Sequence, residues 1–371
     1  MHALCIRKNN HICHLINQNI SCKRKLLFEE AFIMIQWKQR IFSGIQPTGA
    51  PHLGNYFGAI KKWSTLQNEG KDCIFSIVDL HSITLPQDPK KLRYNIRLMA
   101  ACLIACGINP NSSVLFLQSQ VPQHAELAWI LGCLCTMARL THLPQYKEKS
   151  TTLEHFPLGL YLYPVLQSAD ILAYKATEVP VGEDQLQHIQ LSQHLVKIFN
   201  NKFGEIFPTP VPLIDANCAR IKSLRQPDKK MSKSDFNFKN RIELTDKPDI
   251  ILKRIKEALT DFTSAVTFDI DKRPGVSNLI LIHGLCTGKS HDIICSENQH
   301  LNTGQYKLVV AEAVIEYLKP IQLEIQRLLS DQSHIDQVLR KGSEKATEIA
   351  SKTMFEVKEA VGLSFDVKFN S

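Results

Sequence analysis

Short apolar runs and longer amphipathic segments alternate along the first third of the chain. The runs at 41–45, 73–78 and 114–117 are almost continuously apolar and too short for helices, which predicts buried strands. Apolar residues recur at helical spacing from Asn55 onward and again over 91–106, where a glycine follows the last periodic residue. Because strands that are apolar on both faces must be covered on both sides, this order predicts a parallel sheet between two layers of helices.

The alternation changes after residue 141. Residues 142–210 are predicted to form helices around a dense group of motifs, as an inserted segment, and the apolar residues toward the end of the chain recur only at helical spacing. The sequence therefore predicts an α/β fold: a Rossmann-type parallel sheet with helices on both faces, built from 38–141 and 211–244. An all-helical C-terminal domain is predicted at 245–371.

Composition and charge set only broad limits. The chain has 371 residues, of which 44% are hydrophobic and 22% charged, as in ordinary globular proteins, and this length suits two domains. A net charge of +8 suits a nucleic-acid partner, although a basic solvated surface gives the same value. No apolar run reaches the ~18 residues of a membrane span, so no membrane partner is predicted. The 11 cysteines include no CxxC pair, so no metal site formed by protein side chains is predicted. Scattered cysteines also indicate a reducing compartment.

The first 37 residues differ from the rest in character. Residues 1–28 include five basic side chains and no acidic one, interspersed with isoleucine and leucine. This composition is typical of a mitochondrial transit leader, and a disordered basic tail is the alternative. We therefore predict a mitochondrial matrix protein, with a cytosolic form if translation starts at Met34.

A first chemical motif, His52-Leu53-Gly54-Asn55, stands at a predicted strand-to-helix junction. Backbone N–H groups and the helix dipole favour an anion at such a junction. Gly54 lets a flat base or a ribose lie against the backbone, and His52 can donate a hydrogen bond to a phosphate. The alternative is an ordinary helix start with a surface histidine.

A second motif, Lys230-Met231-Ser232-Lys233-Ser234, lies in a polar stretch far along the chain. Its two lysines can meet the β- and γ-phosphates of a nucleotide, and its two serines can add hydroxyl donors. A loop that closes over a triphosphate stabilises the pyrophosphate leaving group most in the transition state. A basic solvated loop is the alternative for this segment alone. The two motifs together, in this order around an α/β pattern, indicate an ATP site.

The chain resembles the tryptophanyl-tRNA synthetases, a family of class I aminoacyl-tRNA synthetases, from about residue 40 to the C-terminus. The segments that show this resemblance are 43–49, 52–55, 79–84, 181–185 and 230–234. Two further segments, 164–170 and 273–278, resemble the animal mitochondrial branch of the bacterial type. The chain departs from the bacterial relatives at Leu162, Gln167 and Phe236, where they often have Thr, Met and Pro.

This resemblance implies a set of site residues. ATP contacts are expected from Gln46, Pro47, Thr48, Gly54, Asn55, Gly182, Glu183, Asp184, Ile221, Lys230, Met231, Ser232, Lys233 and Ser234. Tryptophan contacts are expected from Phe42, Gly44, Gln46, His81, Gln167, Asp170 and Gln185. Catalytic roles are expected for His52, Lys230 and Lys233, and Lys149 is expected near the phosphates. Asp170 should accept the indole N–H, since indole is a donor only.

The resemblance also implies an activity and partners. L-Tryptophan would be activated by ATP, with Mg²⁺ bound through the phosphates, and passed to tRNA(Trp) in mitochondrial protein synthesis. The segment 142–210 would form a homodimer interface and the tryptophan pocket, and 245–371 would bind the anticodon. The alternatives are a tyrosyl-tRNA synthetase, a small-molecule adenylyltransferase and an RNA-binding relative without catalysis.

Overall fold

The computed structural model describes residues 36–143, 157–214, 220–233, 235 and 237–364. By its internal contacts the chain divides into Met1–Lys38 and Gln39–Ser371. The architecture below is that of the second unit.

Five parallel strands form the sheet, in the spatial order β3-β2-β1-β4-β5. They are β1 (Ile41–Ile45), β2 (Cys73–Ile77), β3 (Val114–Leu117), β4 (Glu178–Pro180) and β5 (Val211–Leu213). The first three lie where the apolar runs predict them. β4 is a strand that the sequence pattern did not predict, and it lies inside the segment 142–210, between β1 and β5. Part of that segment therefore belongs to the sheet.

Helices account for most of the remaining described residues. They are α1 (Leu53–Asn55), α2 (Lys61–Asn68), α3 (Asp79–Ser82), α4 (Pro89–Ala105), α5 (Gln123–Gly132), α6 (Met137–Thr141), α7 (Leu158–Leu172), α8 (Leu186–Phe203), α9 (Pro248–Lys256), α10 (Pro274–Thr287), α11 (His291–Glu297), α12 (Thr303–Ser330) and α13 (Gln332–Val361). A π-helical turn, Tyr56–Ile60, joins α1 to α2. From residue 245 to residue 364 the structure has helices and no strand, as predicted. Among the helices that the structure describes, none is long and apolar enough to cross a membrane.

Two apolar cores lie on opposite faces of the sheet. Successive side chains of a strand point to opposite faces, so the neighbours Ile74 and Phe75 on β2 belong to different cores. The core around Phe75 includes α2, α4, α9, α10 and α12, and the core around Ile74 includes α5, α7 and α8. Coverage of both faces explains why β2 is buried along its whole length.

The C-terminal helix α13 covers the outer edge of the sheet. β3 is an edge strand, and the Leu117 N–H donates to the Ser343 hydroxyl of α13 (3.4 Å). At Gly342 the helix backbone lies directly against the strand, because a Cβ there would overlap the Leu115 carbonyl oxygen. An open edge strand invites pairing with other chains, and this helix prevents it.

We expect Gly342→Ala to lower the free energy of unfolding by about 1–3 kcal/mol, since the added methyl must push α13 off β3. Urea titration would measure the change. Gly132→Ala is the matched control: it lies at the end of α5, and a Cβ there would contact nothing within 4 Å. Equal stability of the two variants would contradict the close approach.

Candidate active site

A cavity of about 970 Å³ opens at the carboxyl ends of the parallel strands. Its walls include Gln46 after β1, Val78 after β2, Val181 after β4 and Ile214 after β5. Open parallel sheets bind their ligands at this edge, where the loops that follow the strands converge.

The structure brings most of the sequence-predicted site residues to this cavity. Those lining it are Phe42, Gly44, Gln46, Gly54, Asn55, His81, Gln167, Asp170, Gly182, Glu183, Asp184, Gln185, Ile221 and Lys230. Those that do not line it are Pro47, Thr48, His52, Met231, Ser232 and Lys233. Ser234 and Lys149 lie outside the described residues.

Asp170 on α7 is the centre of a buried hydrogen-bond network. Its carboxylate is 1% exposed and accepts three hydrogen bonds. Oδ2 accepts from His81 Nε2 (2.6 Å), and Oδ1 accepts from Gln118 Nε2 (2.7 Å) and His124 Nδ1 (2.6 Å). The other ring nitrogen of His124 is 2.7 Å from the Tyr174 hydroxyl. A buried carboxylate with this many donors is held in one orientation.

The network also keeps Asp170 ionised. Burial by itself would raise the pKa of Asp170, but the charge of His81 and the hydrogen bonds from His124 and His81 together lower it below its ordinary 3.8. Burial raises the pKa of Tyr174 well above 10, and the nearby Asp170 charge adds to this. Asp170 therefore offers a permanent acceptor at the cavity, suited to a ligand group that can only donate.

Three members of this network, Gln118, His124 and Tyr174, were missed in the sequence. Gln118 directly follows β3, so the expectation that polar residues after parallel strands meet at one edge could have identified it. Tyr174 follows Asp170 by four residues, about one helical turn, so this spacing could have connected the two. His124 lies in apolar surroundings on α5, 46 positions from Asp170, and no spacing connects it to that residue.

Aromatic side chains enclose the same end of the cavity. Phe42 of β1 stacks on Tyr174 with ring centroids 5.6 Å apart, and the Tyr163 ring stands edge-on to His81 at 6.2 Å. The Tyr163 hydroxyl lies 2.9 Å from His188 Nε2. An apolar, aromatic slot beside an ionised acceptor suits a flat ring that carries an N–H donor.

A second wall of the cavity follows β4. A Cβ at Gly182 would lie 2.6 Å from the Asp184 carboxylate, so a side chain there would have to displace the Asp184 side chain. Gln185 donates to Asp184 (2.8 Å) and accepts from Gln167 (3.4 Å). The carboxylates here can accept from ribose hydroxyls, and Glu183 forms an ion pair with Arg220.

The first motif is organised by its own histidine. His52 Nδ1 accepts from the Asn55 N–H (3.1 Å), and Asn55 Oδ1 accepts from the His52 N–H (3.2 Å), which caps the start of α1. Burial, and then the charges of Lys233 and Arg241, lower the pKa of His52 to about 3. His52 is therefore neutral at neutral pH, with its proton on Nε2. A Cβ at Gly54 would lie 3.0 Å from the His52 ring, so a side chain there would press on the ring that makes this cap.

The second motif is fixed at its start by main-chain bonds. The Met231 N–H donates to the Ile221 carbonyl (3.0 Å), and Lys222 and Lys230 form an antiparallel bridge. Lys230 is exposed and lines the cavity. Lys233 instead donates from Nζ to the Gly49 carbonyl (3.0 Å), so it links the second motif to the loop that leads into the first.

The environment of Lys233 changes its acidity. Burial lowers the pKa of Lys233 to about 8, against an ordinary 10.5. Within the described residues, no group of three or more His, Cys, Asp or Glu side chains is placed to hold a metal ion. Lys230 and Lys233 stand on one short segment, where their side chains can supply positive charge to phosphates.

Comparisons with known proteins agree with this geometry. Residues 36–319 match the family model described as tRNA synthetases class I (W and Y). The tryptophan–tRNA ligase of Bacillus anthracis is 45% identical over 324 residues, which cover 87% of this chain and 98% of that protein.

Two solved structures share the architecture. Tryptophanyl-tRNA synthetase from Mycoplasma pneumoniae superposes with a TM-score of 0.80 at 28% identity, covering 88% of this chain and 99% of that one. The enzyme from Campylobacter jejuni, in complex with ADP and tryptophan, superposes with a TM-score of 0.78 at 32% identity, covering 88% and 100%. The chain thus belongs to the tryptophanyl-tRNA synthetase family and is a class I aminoacyl-tRNA synthetase.

Proposed function

We propose that this protein joins L-tryptophan to tRNA(Trp) in the cavity described above, at the expense of ATP. The observation that supports this best is the ionised Asp170 at the end of an aromatic slot. Indole carries a single N–H donor and no acceptor, so an acceptor that stays ionised at neutral pH matches it. The Campylobacter jejuni enzyme, which superposes on this chain, is named as a complex with ADP and tryptophan.

In the first step, an oxygen of the tryptophan carboxylate attacks the α-phosphorus of ATP. The bond from the α-phosphorus to the bridging oxygen breaks, and pyrophosphate leaves with that electron pair. No side chain is needed as a nucleophile, so the protein contributes position and charge. Asp170 and Phe42 would hold the amino acid, and the Gly182–Gln185 wall would hold the adenosine.

The leaving group carries the developing negative charge. Lys230, which already lines the cavity, and Lys233, whose ammonium donates to the Gly49 carbonyl, would neutralise it. Mg²⁺ bound through the ATP phosphates would supply further positive charge. Neutral His52, with its proton on Nε2, would donate a hydrogen bond to phosphate only after a movement that brings it to the cavity.

In the second step, a terminal ribose hydroxyl of tRNA attacks the activated carbonyl and AMP leaves.

Exchange of pyrophosphate into ATP, measured on purified protein beginning near residue 35, tests the first step. We expect exchange with tryptophan and none above background with tyrosine, because an aromatic slot fitted to indole leaves a smaller ring poorly packed. Exchange with tyrosine alone would point to a tyrosyl enzyme. No exchange in folded protein that still binds tRNA would point to an RNA-binding relative.

We also propose that the protein is a homodimer through an apolar patch of four exposed side chains. Trp129 on α5 is 77% exposed and Met137 on α6 is 73% exposed, and Leu158 and Leu162 on α7 are exposed one turn apart. The Tyr161 hydroxyl donates to the Met137 carbonyl (2.8 Å), which places α6 against α7. Exposed apolar patches of this kind commonly bind another protein surface, and a second copy of the chain is the occupant proposed here.

Trp129→Asp should shift the protein from dimer to monomer in sedimentation equilibrium, because a buried, unpaired carboxylate opposes association. Phe355→Asp is the matched control, since Phe355 is also a large, exposed aromatic side chain but lies on α13. A monomeric wild type, or a Trp129→Asp protein that stays dimeric, would contradict the patch as the interface.

Finally, we propose that residues 1–37 direct the protein to mitochondria and that 245–371 contact the anticodon. The first proposal depends on the basic, acid-poor composition alone, because residues 1–35 lie outside the described residues. Fusion of residues 1–37 to a fluorescent reporter should give mitochondrial fluorescence. Diffuse cytosolic fluorescence would contradict it.

A further inference from the structure

The hydrogen-bond donors around Asp170 lie on two sides of its carboxylate, one at the cavity and one behind it. A carboxylate has about four acceptor positions, two on each oxygen. Both positions on Oδ1 are occupied, by Gln118 and His124, whereas among the described residues Oδ2 accepts one hydrogen bond, from His81. His81 and Asp170 line the cavity, but Gln118 and His124 do not. Among the described residues, the oxygen with an acceptor position left is therefore Oδ2, which accepts from His81 at the cavity.

His124 has a complete set of partners behind the site. A carboxylate accepts only, so His124 Nδ1 must be the donor to Asp170. The Tyr174 hydroxyl, 2.7 Å from the other ring nitrogen, Nε2, can pair with it as donor or as acceptor. The line Tyr174–His124–Asp170 thus has one donor and one acceptor at every link. His124 is fully buried, so no water competes for either nitrogen.

We propose that His124, oriented by Tyr174 and assisted by Gln118, is a positioning residue for tryptophan specificity: it fixes the carboxylate plane of Asp170 so that the remaining Oδ2 lone pair points at the indole N–H. This inference depends on the proposed function, because it assigns the acceptor geometry of the same pocket. His124 touches neither substrate nor the reacting phosphate. Its effect passes entirely through the orientation of Asp170.

A carboxylate released from one side can rotate about its Cβ–Cγ bond. Loss of the His124 donor leaves one lone pair of Oδ1 unpaired and lets Asp170 turn away from the direction that indole needs. The cost falls on tryptophan binding, because His124 bonds to Asp170 and Tyr174, whereas Gln185 in the ATP wall bonds to Asp184 and Gln167. A purely structural role would lower stability and leave the Michaelis constant for tryptophan unchanged.

The test compares three variants in the pyrophosphate exchange assay. His124→Leu removes both hydrogen bonds with little change in volume, and should raise the KM for tryptophan on the order of 10-fold or more while the KM for ATP changes less than about 2-fold. His124→Asn keeps an amide donor near the Nδ1 position and should restore the KM for tryptophan to within about 3-fold of wild type. Tyr174→Phe removes only the hydrogen bond between Tyr174 and His124, and should raise the KM for tryptophan about 3-fold.

His283→Leu is the matched control. His283 is also buried and lies 3.2 Å from a tyrosine hydroxyl, that of Tyr306, but in the C-terminal helices. The His283→Leu substitution should reduce thermal stability and leave the KM for tryptophan unchanged. If His124→Leu does not fold, His124→Asn and Tyr174→Phe decide. A higher KM for tryptophan in Tyr174→Phe supports the inference, and an unchanged KM overturns it.

The outcomes separate this inference from the proposed function. A wild type that exchanges with tryptophan, beside a folded His124→Leu with an unchanged KM for tryptophan, overturns the inference alone. A wild type that exchanges only with tyrosine, or with neither amino acid, overturns the proposed function and this inference with it.

Discussion

Asp170→Asn should lose tryptophan activation while the protein stays folded. The amide oxygen can take the place of Oδ1 and accept from Gln118 and His124. The NH₂ group then stands in the place of Oδ2, where it faces the indole N–H donor to donor. A lost hydrogen bond with two unpaired buried donors costs about 3 kcal/mol, which corresponds to a fall on the order of 10²-fold in kcat/KM for tryptophan.

Pyrophosphate exchange over a range of tryptophan and ATP concentrations measures this loss, and the KM for ATP should be nearly unchanged. Asp336→Asn is the control, because Asp336 is a carboxylate paired with Arg97 on the outside of the helical layer, away from the cavity. Thermal melting shows that each variant is folded. Wild-type activation of tryptophan by folded Asp170→Asn would remove Asp170 as the indole acceptor. Asp170→Ala should be less stable than Asp170→Asn, because it strands both histidines and Gln118 in the interior.

The sheet shows what sequence pattern can and cannot predict. The runs that became β1, β2 and β3 were clear because strands buried on both faces are continuously apolar. β4 has three residues, Glu178–Pro180, of which only Val179 is buried, so it has no pattern of its own. Its place between β1 and β5 is decided by pairing with residues far away in sequence. The π-helical turn Tyr56–Ile60 was likewise invisible, since its buried residues keep almost helical spacing.

The site residues also divide into those that the sequence predicts and those that it does not. Short motifs with a fixed chemistry led to residues such as Gln46, Gly182 and Lys230, which the structure places around one cavity. Contacts between helices far apart in the sequence could not be predicted. His124, for example, bonds to Asp170, which lies 46 positions away in the sequence. The position of Lys233 against Gly49 was also not predictable, because it depends on how a 3.0 Å hydrogen bond joins two loops 184 residues apart.

Lys233→Ala should lower the rate of adenylate formation on the order of 10²- to 10³-fold, with tryptophan binding nearly kept. The ammonium of Lys233 lies at the loop before the first motif, where it can move to the departing pyrophosphate, and charge placed at a leaving group acts mainly in the transition state. Single-turnover kinetics measure the rate, and equilibrium binding measures the affinity for tryptophan. Lys229→Ala, at an exposed lysine next to the motif, should change neither strongly. A large loss of tryptophan affinity in Lys233→Ala would contradict the leaving-group role.

The acidity of Lys233 gives this role a pH signature. The pKa of Lys233 is lowered to about 8 by burial, so the side chain is charged below pH 8 and loses its proton as the pH rises through that value. Because kcat/KM reports groups of the free enzyme, kcat/KM for ATP should be level from pH 6.5 to 7.5 and fall toward tenfold per unit above pH 8. His52, with its pKa near 3, adds no limb in this range. Lys233→Arg should be slower but should lose the fall above pH 8, because arginine stays charged there. If the fall persists in Lys233→Arg, another group is titrating and the leaving-group charge does not come from Lys233.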